Sequence, residues 1–459
     1  MSLIFCSVRE GCPPLRLPIL CPTQANKIAE DAVPMTLTLY QDPAALPAAE
    51  WDRLVPVSRP FLRRTYLDLL ASGFPGAFRY ALARRQGEVI AAFVFQRVQL
   101  KGEDLRPYSG PEGGKAYTWP LAKTLVDFVR DRLHLLRWPI MTSGSPLAAD
   151  EPGFAFAPGL SASDRSSLLA AAVREAADSF RGIRGYLISG HGPALNGFHR
   201  VPAEPDMTMP LLPEWSSFDH YLESLQSKYR VRARRIMRAT EPLLRVELDA
   251  AGIRRELDAF NGLYRNVVQQ AGFNLETLHE QYFPRMKESF GDAFRFVAWY
   301  QAADSASVNH NSSNGMEPAQ LPVGFRPIGF RPIGFRPVGF RPVGFHTALS
   351  RDGVLHAHFI GLDYEANATY KLYPAMLYDY LQLGLDMRCR MLHLGRTAPE
   401  IKSTLGAVAT PNEYQFRHEH KLVQSLIGPA LLEAKIPEWT RRQPFRSQEH
   451  MDRSADPPS

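Results

Sequence analysis

Tyr370-Lys371-Leu372-Tyr373-Pro374, followed one helix length later by Met391-Leu392-His393-Leu394-Gly395-Arg396-Thr397, is the stretch that decides the fold. Ahead of it, the apolar run Leu355 to Leu362 predicts a strand ending at Asp363-Tyr364, and the polar residues Glu365 to Thr369 predict a turn. Pro374 suits the first turn of a helix, where its missing N–H would have no partner, so the helix should open there and run through Tyr380 and Leu383. Gly384 marks its far end, the apolar Met391 to Leu394 a buried strand, and Gly395 to Ala407 a basic loop. A strand, helix, strand unit of this kind points a helix N-terminus and two strand ends at one crevice, and such a crevice favours anions.

Outward from this unit the chain states one theme twice. In the first half, Arg79 to Ala83 and Val89 to Val98 predict strands joined at Arg85-Gln86-Gly87, followed by helices over Trp119 to His134 and Asp164 to Phe180. In the second, Phe294 to Tyr300 and Val343 to Leu349 predict paired strands, with Val354 to Leu362 as a third. Periodicity alone gives two mixed α and β domains, which suits 459 residues of which 45% are hydrophobic. The expected division is a leader without structure over 1–34, domains over 35–205 and 206–436, and a tail without structure over 437–459. Met35, immediately before the alternating Thr36 to Tyr40, is the expected natural start.

Residues 302–342 interrupt the second domain. A Ser, Asn and Ala stretch gives way to five copies of Pro-(Val/Ile)-Gly-Phe-(Arg/His), the last being Pro342-Val343-Gly344-Phe345-His346. A proline every fifth residue removes ladder donors and forbids a helix, so the earlier copies predict an exposed loop between two strands; the last copy opens the return strand.

Composition excludes several classes. Four cysteines, three of them in the leader, give neither a disulfide framework nor a metal-binding spacing. With no apolar span long enough for a membrane and no signal peptide, the expected location is the cytoplasm. A net charge of +6 is compatible with phosphorylated small molecules, RNA or anionic surfaces.

The cations cluster. Positions 228 to 238 hold Lys228, Arg230, Arg232, Arg234, Arg235 and Arg238 without one acid, and helical spacing puts Lys228, Arg232 and Arg235 on one face beside a buried stripe of Leu222, Leu225, Tyr229 and Ile236. Such a run is either a solvated face or an anion site. Arg396 and Lys402 lie in a loop after a buried strand, where Arg396 could grip a carboxylate or phosphate bidentately and Lys402 act as a point charge. The alternative for Arg396 is an ion pair with Glu400. Asp363, Tyr364, Tyr370, His358 and His393, at strand ends or turns, are the candidate proton carriers, each weighed against a packing role.

Two segments resemble the FemAB-like branch of the GNAT acyltransferases, with its acetyltransferase and peptidoglycan-related members. One is Ser224-Leu225-Gln226-Ser227-Lys228-Tyr229-Arg230-Val231-Arg232-Ala233-Arg234-Arg235; the other is the order strand, aromatic-Lys turn, Tyr-Pro helix, strand, Gly-Arg, Lys, Gly-Ala. The resemblance covers roughly Leu211 to Ile427, and Thr36 to Val201 in architecture only. It implies an α+β fold of tandem GNAT-like domains, each a mostly antiparallel sheet flanked by helices. It implies an enzyme moving an acyl or aminoacyl group to an amine, a small molecule or a cell-envelope precursor, with no tightly bound cofactor and no metal. Acyl-CoA or aminoacyl-tRNA would be the co-substrate, tRNA then being a partner. Lys228, Arg232, Arg235, Lys371, Arg396 and Lys402 would bind donor or substrate, and Asp363 and Tyr370 would carry the proton. Asn367 to Lys371 departs from the Gly-rich string of most coenzyme A-dependent relatives, and no long charged helical hairpin marks the tRNA-dependent ones, so both donors stay open. The rival from another class is a non-catalytic module binding RNA or anionic glycan through residues 224–238.

Overall fold

Strands form where period-two alternation coincides with aromatic and β-branched residues, and thirteen of them join one sheet in the computed structural model, which describes residues 35–101, 137–148, 151–270, 275–302, 339–421, 424 and 438–446. In chain order they are β1 Met35–Tyr40, β2 Phe78–Arg85, β3 Glu88–Lys101, β4 Arg137–Ser143, β5 Phe154–Phe156, β6 Gly185–Ser189, β7 His199–Pro210, β8 Leu244–Glu247, β9 Phe294–Ala302, β10 Phe340–Arg351, β11 Val354–Leu362, β12 Met391–Gly395 and β13 Val408–His418. Across the sheet the order is β1-β2-β3-β4-β6-β13-β7-β12-β11-β10-β9-β8, with β5 added beside β3.

This order reads the same inward from either edge. Four antiparallel strands are followed by one parallel neighbour, β6 beside β4 and β12 beside β11. The last strand of each half then crosses over: β7 pairs with β12 of the second half, β13 with β6 of the first, and the two exchanged strands pair with each other. The α+β class and the doubling of one theme are thus present, within a single sheet. The expected boundary at 205/206 falls inside β7.

Apolar residues cover both faces. Leu392 and Leu394 of β12 and Leu355 of β11 join a core beneath the helices Phe218–Ser224, Ser227–Ala239 and Leu372–Asp386. On the other face, Trp51, Tyr66, Phe260, Phe283 and Phe345 are fully buried in a core built from both halves. Gly344 belongs to the last repeat copy, and a Cβ there would meet Leu372 Cδ2 at 2.6 Å, so any side chain would have to displace the ends of Leu372 and Met376.

The helix Leu372–Asp386 is seated by charge. Its Asp379 is 1% exposed and takes Arg245 of β8 bidentately at 2.7 and 2.8 Å. The same carboxylate accepts from His346 Nε2 of β10 at 2.8 Å, and His346 Nδ1 accepts from Trp299 Nε1 of β9 at 3.2 Å. The Trp N–H can only donate, so the neutral ring carries its proton on Nε2. Burial pushes the Asp379 pKa up, but Arg245 and His346 outweigh it and hold the carboxyl well below its usual range.

Several expectations need correction. Residues 364–370 form a helix, Tyr364–Tyr370, where a turn is expected, because Asp363 Oδ1 caps it by accepting from Glu365 N and Ala366 N, both at 3.0 Å. The tail is not wholly without structure: Phe445 is 3% exposed, tilted against Trp215 at 5.5 Å, and Gln226 N donates to Pro444 O at 2.7 Å. The loop expected over 302–342 is shorter at both ends, since β9 includes Ala302 and β10 begins at Phe340. A bulge between Pro342 and Gly344 lets Phe340 pair with Ala302 and Phe345 with Ala298, so both phenyl rings lie on one face despite their odd spacing. The leader, the helix expected over Trp119 to His134, the repeat copies as far as residue 338 and residues 447–459 lie outside the described residues. No helix of the described residues is long and apolar enough to cross a membrane.

Two outcomes follow from these contacts. Because Phe340 pairs directly with Ala302, deleting residues 303–338 and joining the ends by a short turn should leave the melting temperature within a few degrees of wild type, loop closure costing only about 0.6 kcal/mol per doubling of length. A fall beyond about 10 °C in a thermal melt would give the deleted residues a structural role. Asp379→Asn, which leaves Arg245 buried without its charge partner, should cost about 3–5 kcal/mol in urea unfolding; a loss under about 1 kcal/mol would show that the helix is seated by apolar packing alone.

Candidate active site at the β11–β12 opening

β11 and β12 stay paired for only three positions, Val354 with Met391, Leu355 with Leu392 and His356 with His393. Beyond His356 they part, and the backbone groups that β11 turns toward β12 from there to Leu362 have no ladder partner. Along this stretch β11 is also irregular against β10: Phe359 N and O both bond Thr347 Oγ1, at 2.9 and 3.0 Å.

One face of the opening is lined by imidazoles. His356 and His358 are two residues apart on β11 and so share a face, and the His356 and His393 rings lie 5.0 Å apart. The backbone of Ser58 hydrogen-bonds the His356 ring, while His356 Nε2 is out of contact with solvent and without a partner. His358 Nε2 bonds Tyr282 Oη at 2.5 Å, and Tyr282 Oη bonds Tyr66 Oη at 3.0 Å. Phe61 stacks on His358 at 4.8 Å and 17°, and meets His356 edge-on at 5.5 Å. Burial pushes His356 down to about 3, helped by His393, and His358 down to about 3, helped by His356. Burial lowers His393 as well, against the pull of Asp206 on β7. All three rings are therefore neutral near pH 7, and burial makes His356 and His358 weak bases.

The loop after β12 is strained and pinned. Gly395, Thr397 and Ala398 have φ of +69°, +65° and +48°, a region costly for the two non-glycine residues. Lys402 is 3% exposed, and its Nζ donates to Gly395 O at 3.0 Å and to Arg396 O. The backbone of Thr397 bonds Glu204 of β7, whose pKa burial raises against the opposing pull of Arg396 and Lys402. Arg396 donates to Tyr414 Oη at 2.6 Å, and its guanidinium lies 5.5 Å from that ring; Glu400 pairs with Arg442 instead.

The residues singled out in the sequence fall into separate places. Asp363 Oδ2 pairs with Arg341 at 2.8 Å while Oδ1 caps the Tyr364–Tyr370 helix; burial raises its pKa, but the bonds to Arg341 and the two N–H groups bring it below the usual value. Tyr370 packs at the margin of the core under the helices. Lys371 joins two helices in the left-handed region, φ +55°, with Nζ on Ala368 O at 2.9 Å. Lys228 and Arg235 are exposed on the helix Ser227–Ala239, Arg232 is half-buried, and the stripe Leu222, Leu225, Tyr229 and Ile236 is buried as its spacing predicts. This basic helix and the imidazoles lie on opposite faces of the sheet. The residue missed in the sequence is His356, although His356-Ala357-His358 inside an apolar strand carries the signal: two like polar rings at a spacing of two. Among the described residues no group of His, Cys, Asp and Glu could hold a metal.

No protein-family model and no curated protein matches the sequence. Among solved structures the chain is similar to FemX, with 11% identity over 81% of this chain and 97% of that one and a TM-score of 0.43. A tandem GNAT protein from the clavulanic acid biosynthesis pathway gives 10% identity over 84% and 98% and a TM-score of 0.43. L-PGS from Bacillus licheniformis gives 11% over 86% and 98%, again at 0.43. At that identity and score these likenesses assign no residue and no activity.

The buried imidazoles make stability acid-sensitive. At pH above 6.5 they are neutral folded and unfolded; as pH falls from 6.5 toward 3 the unfolded chain takes up protons that folded His356 and His358 refuse. Each ring should cost up to about 1.4 kcal/mol per pH unit across that window. His358→Phe should flatten the fall in urea-unfolding free energy between pH 6 and 4.5 by about that slope, and parallel curves for variant and wild type would show His358 to be protonated when folded.

Proposed function

We propose that the chain is an acyltransferase that moves an acyl or aminoacyl group from a coenzyme A thioester or an aminoacyl-tRNA to an amine, on a small molecule or a cell-envelope precursor. The observation that carries this is the β11–β12 opening, where unpaired backbone groups of one strand stand beside a neutral imidazole whose Nε2 has no partner. The resemblance of residues 224–235 and of the Tyr370 to Ala407 stretch supports it.

In this reading the amine attacks the acyl carbonyl, and N–H groups of β11 facing the opening stabilise the oxyanion. His356 Nε2, too weak a base to keep a proton, passes the one that the attacking nitrogen loses on toward the leaving group. The tetrahedral species then collapses to the amide as the C–S or C–O bond breaks, and the leaving thiolate or alkoxide takes up a proton. Lys228, Arg232, Arg235 and Lys371 supply positive charge for the donor's phosphates, and Arg396 supplies it beside the opening. Lys402 acts by holding the 395–398 loop, and Asp363 by capping the helix that leads to Tyr370 and Lys371.

A second reading has one observation in its favour: none of the six cations between Lys228 and Arg238 is in an ion pair among the described residues. That suits a module holding RNA or an anionic glycan without chemistry. The test is to incubate the protein with acetyl-CoA and with alanyl-tRNA, each with a panel of primary amines. Amine-dependent consumption of one donor is expected, slowed about a hundredfold or more in His356→Ala, and Arg232→Ala should raise KM with kcat nearly unchanged. No consumption of either donor, with salt-sensitive retention of RNA or of an anionic glycan, would leave the binding module as the answer.

A further inference from the structure

The histidines of the second half are held by a turn of the first. Ser58 reaches the His356 ring through its backbone, and since Nε2 has no partner the bonded nitrogen is Nδ1. Three residues on, Phe61 covers both His356 and His358. This turn, Pro60–Leu62 with its flanks, is fixed by one carboxylate: Glu151 Oε1 accepts from Arg59 Nε and Oε2 from Phe61 N, each at 2.9 Å, and the Glu151 side chain is 9% exposed. The other guanidinium nitrogens of Arg59 donate to Pro152 O at 2.5 Å and Phe154 O at 2.8 Å, while Trp51 Nε1 donates to Leu62 O at 2.9 Å and anchors the far end. A buried carboxylate taking two donors from one turn fixes that turn's direction, and the same turn, through Ser58, engages one nitrogen of His356 while the other has no partner.

We propose that Glu151 is a positioning residue which, through Arg59 and the 58–62 turn, keeps His356 with Nδ1–H on the Ser58 carbonyl and Nε2 bare toward the β11–β12 opening. The inference rests on the acyl-transfer reading for its use, but its geometry is open to measurement without turnover. The first half then completes a site that belongs to the second.

The experiment is 15N NMR of the full chain with labelled histidine, the His356 signals being assigned by their loss in His356→Gln. At pH 8, above the pKa of about 7 to which burial raises Glu151 against the pull of Arg59, wild-type protein should show His356 protonated on Nδ1 and bare on Nε2, the imidazole itself staying untitrated down to pH 5. In Glu151→Gln the ring should show mixed tautomers and titrate at least one pH unit higher, and amine-dependent transfer should lose at least tenfold in kcat with KM within twofold. If Glu151→Gln does not fold, Arg59→Lys, which keeps the charge and loses the fork, is read in the same way. A folded variant whose His356 tautomer and titration match wild type would overturn the proposal. Absence of transfer by wild type would instead sink the acyl-transfer reading and leave the NMR result to decide this one.

Discussion

The buried carboxylate of Asp379 is the constraint on which the second half depends. It binds Arg245 of β8 and His346 of β10, and His346 in turn takes the Trp299 N–H of β9. One charge on one helix thereby gathers three strands. Desolvating such a group is costly, and the cost is offset by the Arg245 charge and by hydrogen bonds to both of its oxygens. The helix so fixed lies between β11 and β12 in the chain and packs on both strands.

The two halves share a strand order but differ at this point. In the first half β4 and β6 also stay paired for only three positions, from Ile140 with Gly185 to Thr142 with Leu187. There Ser189 N donates to Ser143 Oγ at 2.8 Å, so one side chain bridges the parting strands, while Thr142 Oγ1 donates to Gln96 O of β3 and to Gly144 O. In the second half imidazoles occupy the corresponding place and one of their nitrogens is left bare. Duplicated architecture has been filled in one copy and kept open in the other.

Much of this was legible in the sequence, for reasons particular residues make plain. β11, the helix through Pro374 and β12 were readable because apolar periodicity, a proline at a helix start and glycines at ends all agree. The stretch read as a basic loop is bounded by Gly395 and Gly406, which have φ of +69° and +107°. The Tyr364–Tyr370 helix was hidden because seven largely polar residues hold no apolar stripe, and only the cap at Asp363 makes them helical. Lys402 read as a point charge for an anion because nothing local reveals that its amine is buried on two carbonyls. Phe445 stood in a polar, Pro-rich tail, yet a Cβ at Gly406 would lie 2.3 Å from its ring, a fit visible only in three dimensions. The dependence of His356 on Ser58 and Glu151 was beyond reach, since partners that distant in the chain leave no spacing to read.

The exchange of β7 and β13 has a consequence for how the chain comes into being. Ser189 at the end of β6 and Gln415 of β13, which meet in the finished sheet, are 226 residues apart. At about 5–20 residues per second, β6 emerges from the ribosome some ten to forty-five seconds before the strand that will cover its edge. During that interval the first half presents an open ladder of N–H and C=O groups, the kind of edge that pairs with whatever strand arrives first. Until the chain's own last strand is made, β6 is thus the edge at which the first half is open to a wrong pairing.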